Sequence, residues 1–269
     1  VVDKKYYTYE DPEYSITNIA LSKHDLESMN EAVEVLKQFK GFNHFSSLND
    51  VVQKLEHHIY TSTNNTAPVI DFEKNERLKG LEHLDVIYNA IINRKVLNIE
   101  YKSFKAREAN VFHYHAWWLK EFKNRWFAVG IKTEGGRILT LALDRMLNVS
   151  IAGKEKYIKN DQTTAESYYN NVIGVTVNEK DRLRNVTLFV TDMHAPYVET
   201  KPLHHSQVVV HREKEGIIVQ IKVQLNFELE KEILGFGDGM IVLGPKKLRE
   251  RIQGRMKGAI KMYGQKKIS

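Results

Sequence analysis

The stretch Lys120-Glu-Phe-Lys-Asn-Arg-Trp-Phe-Ala-Val-Gly130 decides the fold of the central part of the chain. Its basic residues, large apolar side chains and final glycine are typical of a strand that borders a core. A second extended segment, residues 137–143, follows across Gly135-Gly136 and leads into Asp144-Arg145. Arginines at the ends of half-buried strands are costly unless they have partners. Because no nucleophile and base lie nearby, we expect the partner to be an anion rather than a catalytic substrate.

One helix and five short strands are predicted around this stretch, over residues 78–153. The helix is predicted over residues 81–94, where apolar residues recur at helical spacing. The strands are predicted over residues 96–101, 110–118, 125–132, 137–143 and 146–151. Strands this closely spaced and mostly joined by turns favour a small β-barrel of the SH3 or Sm-like type.

Strand parity places cationic and imidazole groups on the same faces as apolar side chains. Such a pattern is expected at a barrel rim with an anion-binding mouth, and ordinary strand ends produce it too. The residues that share a face are Arg125 with Phe127, Arg137 with Arg145, and His113 with His115 and Trp117. The arginines could instead pair with nearby carboxylates, and the histidines could be satisfied core groups.

The last part of the chain, residues 174–269, follows a different pattern, after a linker over residues 154–173. Strands are predicted over residues 186–190, 207–211, 217–225 and 240–243, and helices over residues 194–199, 228–235 and 245–263. The order β-α-β-β-α-β with a trailing helix fits a ferredoxin-like domain. The fold class expected for the whole chain is therefore α+β.

The first part, residues 1–60, is predicted to be a tyrosine-containing arm followed by two amphipathic helices, before a polar linker over residues 61–77. Two short helices cannot bury both apolar stripes alone. We expect this connector to dock on the rest of the chain, on a second copy, or on a domain further upstream.

Composition limits the function classes. The 269 residues contain no cysteine and no run of 18 apolar residues, which excludes disulfides and predicts no transmembrane helix. We therefore expect a cytoplasmic protein. The net charge is +6, and residues 101–145 alone hold nine Lys or Arg against four Asp or Glu. This excess favours an anionic partner.

The same central residues carry a family resemblance. The matching motifs are Ile99-Glu-Tyr101, His115-Ala-Trp-Trp-Leu-Lys-Glu-Phe122, Asn124-Arg-Trp-Phe-Ala-Val-Gly130, and the run from Arg137 to Leu143-Asp-Arg145. Together they resemble the WYL domain of bacterial transcriptional regulators. Trp126-Phe127-Ala128 stands where that family has its Trp-Tyr-Leu tripeptide, so the tyrosine hydroxyl is missing. Residues 174–264 look like the C-terminal extension that accompanies such domains.

The resemblance implies a ligand-sensing Sm-like barrel that binds a nucleotide or single-stranded nucleic acid. It further implies a homodimer, and promoter reading by a winged helix-turn-helix upstream of Val1. Combined with parity, it implies a ligand-facing set consisting of Tyr101, His113, His115, Trp117, Arg125, Phe127, Arg137 and Arg145. Arginine suits this role because its planar fork binds phosphate in a bidentate way, and Tyr101 or Trp117 could stack on a base.

The final helix is strongly basic. Its cations could track a nucleic-acid backbone, form a dimer contact, or lie on a solvated surface, and the residues concerned are Lys246, Lys247, Arg251 and Arg255. No motif indicates catalysis, a metal site or a cofactor. The alternatives to a sensing regulator are a protein-interaction scaffold without a nucleic-acid ligand and a metal-dependent nuclease.

Overall fold

The computed structural model describes residues 2–3, 6–7, 78–153, 155–161, 163–178 and 180–265. The chain divides into two units, Val1–Asp85 and Val86–Ser269. In the first unit, strand β1 (Val2–Asp3) pairs in antiparallel fashion with β2 (Tyr6–Tyr7). The helical connector and the polar linker predicted from the sequence lie outside the described residues.

The helix predicted over residues 81–94 is present in a shorter form. A 3-10 turn at Leu81–His83 leads into helix α1, Leu84–Ile92. Arg94 has a positive φ of 51°, and the amide of Lys95 donates to the carbonyl of Ala90 at 2.8 Å. This left-handed cap satisfies a carbonyl that the helix end would leave without a partner. The chain then continues into the five-stranded sheet.

A five-stranded antiparallel sheet follows in the order β6-β5-β4-β3-β7. Its strands are β3 (Leu97–Tyr101), β4 (Asn110–Phe122), β5 (Arg125–Lys132), β6 (Leu139–Ala142) and β7 (Met146–Ile151). Strands β5 and β7 lie where the sequence predicted them. β4 is longer than predicted and contains a bulge between Ala116 and Trp118, while β6 is shorter because its last predicted residue begins a 3-10 turn.

The sheet is strongly curled but does not close. Its edge strands, β6 and β7, are joined only by the 3-10 turn Leu143–Arg145. Four Cα–Cα steps span at most about 15 Å, whereas the edges of a flat five-stranded sheet lie about 19 Å apart. The edges must therefore bend toward each other. No ladder joins β6 to β7 in the described part of the chain, so the predicted small barrel is corrected to an open, curled sheet.

The C-terminal part has the predicted ferredoxin-like order of elements. These are β8 (Arg184–Thr191), α3 (Ala195–Thr200), β9 (Val208–Glu213), β10 (Gly216–Val223), α4 (Phe227–Gly235), β11 (Met240–Gly244) and the trailing α5 (Lys246–Gln265). The four strands form an antiparallel sheet in the order β11-β8-β10-β9. A short helix, α2 (Ala165–Tyr169), lies within what the sequence predicted to be linker. The α+β class is confirmed.

The core of this C-terminal sheet lies on one face. Alternate residues of β8, namely Val186, Leu188 and Val190, are fully buried, as strand periodicity requires. Leu229 of α4 and Leu248 of α5 are also fully buried in the same cluster. Helices α4 and α5 are therefore held to the sheet by apolar contact, and this packing fixes where α4 begins.

Gly130 of β5 provides a test of the contact between β4 and β5. A Cβ at this position would lie 1.9 Å from the carbonyl oxygen of His115, a backbone atom that cannot rotate away. We expect Gly130→Ala to lower the free energy of unfolding by about 3 kcal/mol, as overpacking does. Urea denaturation followed by tryptophan fluorescence measures it.

Gly254→Ala in α5 is the matched control, because nothing lies within 4 Å of its added Cβ. That substitution should stabilise the helix by about 1 kcal/mol. Equal unfolding midpoints for the two variants would contradict the described β4–β5 packing.

Candidate anion-binding cleft

A cleft of about 770 Å³ lies between the curled sheet and the start of the ferredoxin-like part. One side, which we call the sheet wall, consists of residues from the β4–β5 turn, β5, β6 and their flanks. The other side, which we call the helix wall, consists of Tyr168, residues 175–178, Lys180 and the first half of α4. The linker and α4 together complete a space that the sheet borders on one side only.

Four of the predicted ligand residues meet on the sheet wall. Arg125 and Phe127 lie on β5 with the same parity, Arg137 lies two residues before β6, and Arg145 ends the turn after β6. Arg137 is exposed and pairs with no residue that the structure describes. The structure thus brings these four residues to one wall, and ligand contact at them stays a prediction.

Asp144 is the shared counter-ion of two of these arginines. Its Oδ2 lies 3.5 Å from Nη1 of Arg125, and its Oδ1 lies 3.8 Å from Nε of Arg145. Both distances exceed the 2.7–2.9 Å typical of charge-assisted hydrogen bonds. The Oδ1 atom of Asp144 and the Nε atom of Arg145 are shielded from solvent, and neither has a hydrogen-bond partner in the described chain. One carboxylate thus faces two guanidinium groups without satisfying either.

Phe104 holds Arg145 from the other direction. The guanidinium carbon lies 4.6 Å from the centroid of this exposed ring, a cation–π distance. Arg145 is therefore oriented by packing as well as by charge, and it still lines the cleft.

The helix wall adds cations that the sequence analysis did not identify. Lys180 and Lys231 are exposed and pair with no described residue. Glu228 is the wall's carboxylate, and its Oε1 accepts a hydrogen bond of 2.8 Å from the hydroxyl of Thr176. Lys123 of the β4–β5 turn bonds Glu232 of α4 at 2.7 Å and ties the two walls together. Strand parity gave no signal for these lysines, because their position depends on how the linker folds back.

The described lining of the cleft is strongly positive and partly aromatic. Its cations outnumber its carboxylates by six to one, namely Lys123, Arg125, Arg137, Arg145, Lys180 and Lys231 against Glu228. Four aromatic rings stand among them, those of Phe122, Phe127, Tyr168 and Phe227. Cations beside aromatic faces suit a ligand with both phosphate and base.

The predicted histidines lie elsewhere, against the linker. His115 is fully buried, its Nδ1 accepts a 3.0 Å hydrogen bond from the amide of Ile158, and its Nε2 lies 3.0 Å from the hydroxyl of Thr133. His113 forms an ion pair with Glu155. Both ring nitrogens of His115 thus have partners within the chain, Ile158 of the linker and Thr133 after β5, and ligand contact at His113 and His115 stays a prediction.

Two of the three aromatic residues in the predicted set, Tyr101 and Trp117, are also away from the cleft. The indole of Trp117 donates a hydrogen bond of 3.0 Å to the carbonyl of Ile158, and Tyr101 packs against Phe112 with ring centroids 6.5 Å apart. The bulge that interrupts β4 at Trp117 puts this residue next to the linker. Neither ring borders the space between the sheet wall and the helix wall.

The cations of the final helix differ in their surroundings. Arg251 and Arg255 bond the buried carboxylate of Glu230 at 3.2 and 2.7 Å. Lys246 lies 3.8 Å from Glu250, whereas Lys247 is exposed and pairs with no residue in the described ranges. Three of the four predicted backbone contacts thus already have an intramolecular partner, and for Arg251 and Arg255 that partner is a buried carboxylate.

Metal sites and membrane spans can be assessed for the described residues. No cluster of three or more His, Asp or Glu side chains there could hold a metal ion. No helix there is long and apolar enough to cross a membrane.

His115 generates a prediction about pH. Burial lowers the pKa of His115 below its ordinary value, while the nearby Glu155 carboxylate opposes the shift and His113 adds to it. The unfolded chain therefore binds this proton more readily, so stability is fully present above about pH 6.5 and falls as the pH drops from there toward the lowered value. His115→Asn keeps an acceptor for the Ile158 amide but cannot be protonated. We expect it to flatten the dependence of the unfolding free energy on pH below about pH 6.5, measured by urea denaturation.

The exposed His211 of β9 is the control for this prediction. His211→Asn should leave the slope unchanged. A residual slope is expected in both variants, because burial also lowers the pKa of His204. An identical slope in wild type and His115→Asn would contradict the linker contact.

Two models of known domain families match this chain. A model of the WYL domain matches residues 82–151, and a model of the WCX domain matches residues 182–260. Together these matches cover 149 of the 269 residues. A search of curated proteins found no match.

Sixteen solved chains are similar to this one. One is proteasome accessory factor B/C of Arthrobacter aurescens, 18% identical over 65% of this chain and 26% of that chain, with a TM-score of 0.30. Another is a CRISPR Cas-related protein, 11% identical over 69% of this chain and 52% of that chain, with a TM-score of 0.43. The chain thus spans about a quarter and about a half of these two. On the two domain matches, the chain contains a WYL domain followed by a WCX domain.

Proposed function

We propose that this chain is the ligand-sensing part of a transcriptional regulator and that the cleft between its WYL and WCX domains binds the ligand. The observation that carries the proposal is the charge of the cleft, whose described lining holds six cations and one carboxylate, while Asp144 and Glu232 pair with three of these cations from outside the lining. A cleft lined by an excess of cations raises the local concentration of anions. An anionic ligand is therefore favoured over a neutral or cationic one.

The ligand class we propose is a nucleotide or a single-stranded nucleic acid. Arg125, Arg137 and Arg145 offer planar donors that match phosphate oxygens. Phe127 and Phe227 line the same space and offer apolar faces to bases. A phosphate could also satisfy Arg145, whose Nε has no hydrogen-bond partner in the described structure.

The proposal extends to the other partners that the family resemblance implies. Promoter DNA would be read by a winged-helix domain outside these residues, and two copies of the chain would act together. Ligand in the cleft would then change the relation of the WYL and WCX domains, because the cleft has residues of both on its walls. No catalytic step is part of this proposal.

The protein-interaction scaffold is the second candidate. It would be favoured if each arginine of the cleft were already neutralised. Arg137 pairs with no described residue, and Arg125 and Arg145 share a single carboxylate at long distance. The charge balance therefore favours the sensing function.

Arg137 provides the sharpest test, because its removal leaves no buried carboxylate without a partner. We expect a short fluorescently labelled single-stranded DNA to bind the chain with an affinity that falls steeply with salt. Arg137→Ala should weaken this binding and reduce the slope of log affinity against log salt by about one unit, as the loss of one phosphate contact does. Fluorescence anisotropy at several salt concentrations measures both quantities.

Arg212→Ala is the control, because Arg212 already pairs with Glu199 on the WCX domain and does not line the cleft. It should leave the slope unchanged. No binding at low salt would move the weight to the scaffold function, and equal effects of the two variants would exclude the cleft as the nucleic-acid site.

A further inference from the structure

Phe227 is an exposed aromatic residue that lines the cleft. It is the first residue of α4, it lines the cleft, and 57% of it is accessible to solvent. A lone exposed apolar residue needs no explanation in itself. Here, however, the ring stands in a cleft lined by six cations and is held by two further sets of contacts.

The first set holds the ring itself. The guanidinium of Arg255 lies over the ring, 5.5 Å from its centroid. Arg255 is fixed in turn, because its Nε donates a 2.7 Å hydrogen bond to Glu230, a carboxylate whose side chain is only 7% exposed. Arg251 bonds the other oxygen of Glu230 at 3.2 Å. A buried carboxylate between two guanidinium groups is a rigid anchor, so one face of the Phe227 ring has a fixed cation beside it.

The second set holds the backbone of Phe227. The preceding residue, Asn226, caps α4, and its Oδ1 accepts a 2.9 Å hydrogen bond from the amide of Leu229. Its Nδ2 donates to the carbonyls of Ile173 and Thr176 at 2.8 and 3.0 Å. The start of α4 is therefore tied to the segment that supplies the rest of the helix wall. The ring of Phe227 is preorganised relative to the cleft.

We propose that Phe227 is the base-stacking residue of the ligand site and that Arg255 is its positioning residue. This inference rests on the proposed function. In this arrangement the phosphates of the ligand bind Arg125, Arg137 and Arg145 on the WYL side, and a base stacks on the Phe227 ring on the WCX side. The ligand class is thereby restricted to phosphate compounds that carry a nucleobase. Inorganic polyphosphate and other anions without an aromatic ring would lack this contact.

The arrangement also gives Arg251 and Arg255 a role other than the predicted contact with a nucleic-acid backbone. Their charge is directed at Glu230, and their effect on the ligand passes through the orientation of Phe227. Base stacking on an aromatic side chain is worth about ten-fold or more in affinity per base. The contribution of Phe227 is therefore large enough to measure in a direct binding assay.

A cycle that changes both the protein and the probe tests this proposal. The probes are a short labelled oligothymidylate and an abasic oligomer with the same number of phosphates. Phe227→Leu keeps an apolar side chain and removes the aromatic ring. We expect this variant to bind oligothymidylate about ten-fold more weakly than the wild type does and to bind the abasic oligomer equally well. Phe227→Trp should restore the preference for oligothymidylate.

Tyr197→Leu is the matched control, since Tyr197 is 70% exposed on α3 of the same domain and does not line the cleft. It should change neither affinity. If Phe227→Leu lowers the affinity for both probes equally, or lowers neither, the stacking role is overturned. Thermal denaturation shows whether the variant is folded. If the wild type binds neither probe at low salt, the proposed function itself fails. A wild type that binds both probes with the same affinity overturns only the base-stacking inference.

Discussion

The three-residue turn Leu143–Arg145 is the constraint on which the WYL part depends. It connects strands that lie at opposite edges of a five-stranded sheet, and three residues are too short to do so unless the sheet curls. Leu143 is fully buried and anchors the turn in the core. Asp144 and Arg145 then project from the place where the two edges approach each other. One short connection thus determines both the curvature of the sheet and the position of two charged residues at the cleft.

Two carboxylates in this molecule each face two arginines, and their different geometries separate a structural contact from a binding site. Glu230 is 7% exposed and bonds its arginines at 3.2 and 2.7 Å, so each oxygen has a charge-assisted partner. Asp144 is 17% exposed and lies 3.5 and 3.8 Å from Arg125 and Arg145. Removing a partner of Glu230 would leave a buried charge unsatisfied. The arginines beside Asp144 keep donor capacity that an incoming anion can use.

Local patterns predicted the elements of this chain well, and they predicted the site in part. β5 was placed correctly because an apolar run begins directly after Lys123 and Asn124, which both take the positive φ of a two-residue hairpin turn. Strand parity put Arg125 on the same face as Phe127, and both residues line the cleft. The contacts of His115 and Trp117 with the linker could not be predicted in this way. Parity states which face a side chain is on, and it is silent on which distant segment covers that face.

The linker between the WYL and WCX domains is the segment that covers these faces, and it makes contacts near both of its ends. Near its start, Ile158 contacts Nδ1 of His115 and Glu155 contacts His113, while Thr133 after β5 contacts the other nitrogen of His115. Toward its far end, Tyr168 of the linker and the residues that follow it, 175–178, form part of the helix wall opposite the arginines. The hydrogen bonds from Asn226 fix that far end to α4. The positions where the WYL resemblance implied ligand contact are thus divided by the fold of the linker. It contacts His115 through the amide of Ile158 and His113 through the carboxylate of Glu155. The arginines and Phe127 instead line one wall of a cleft whose other wall carries Phe227.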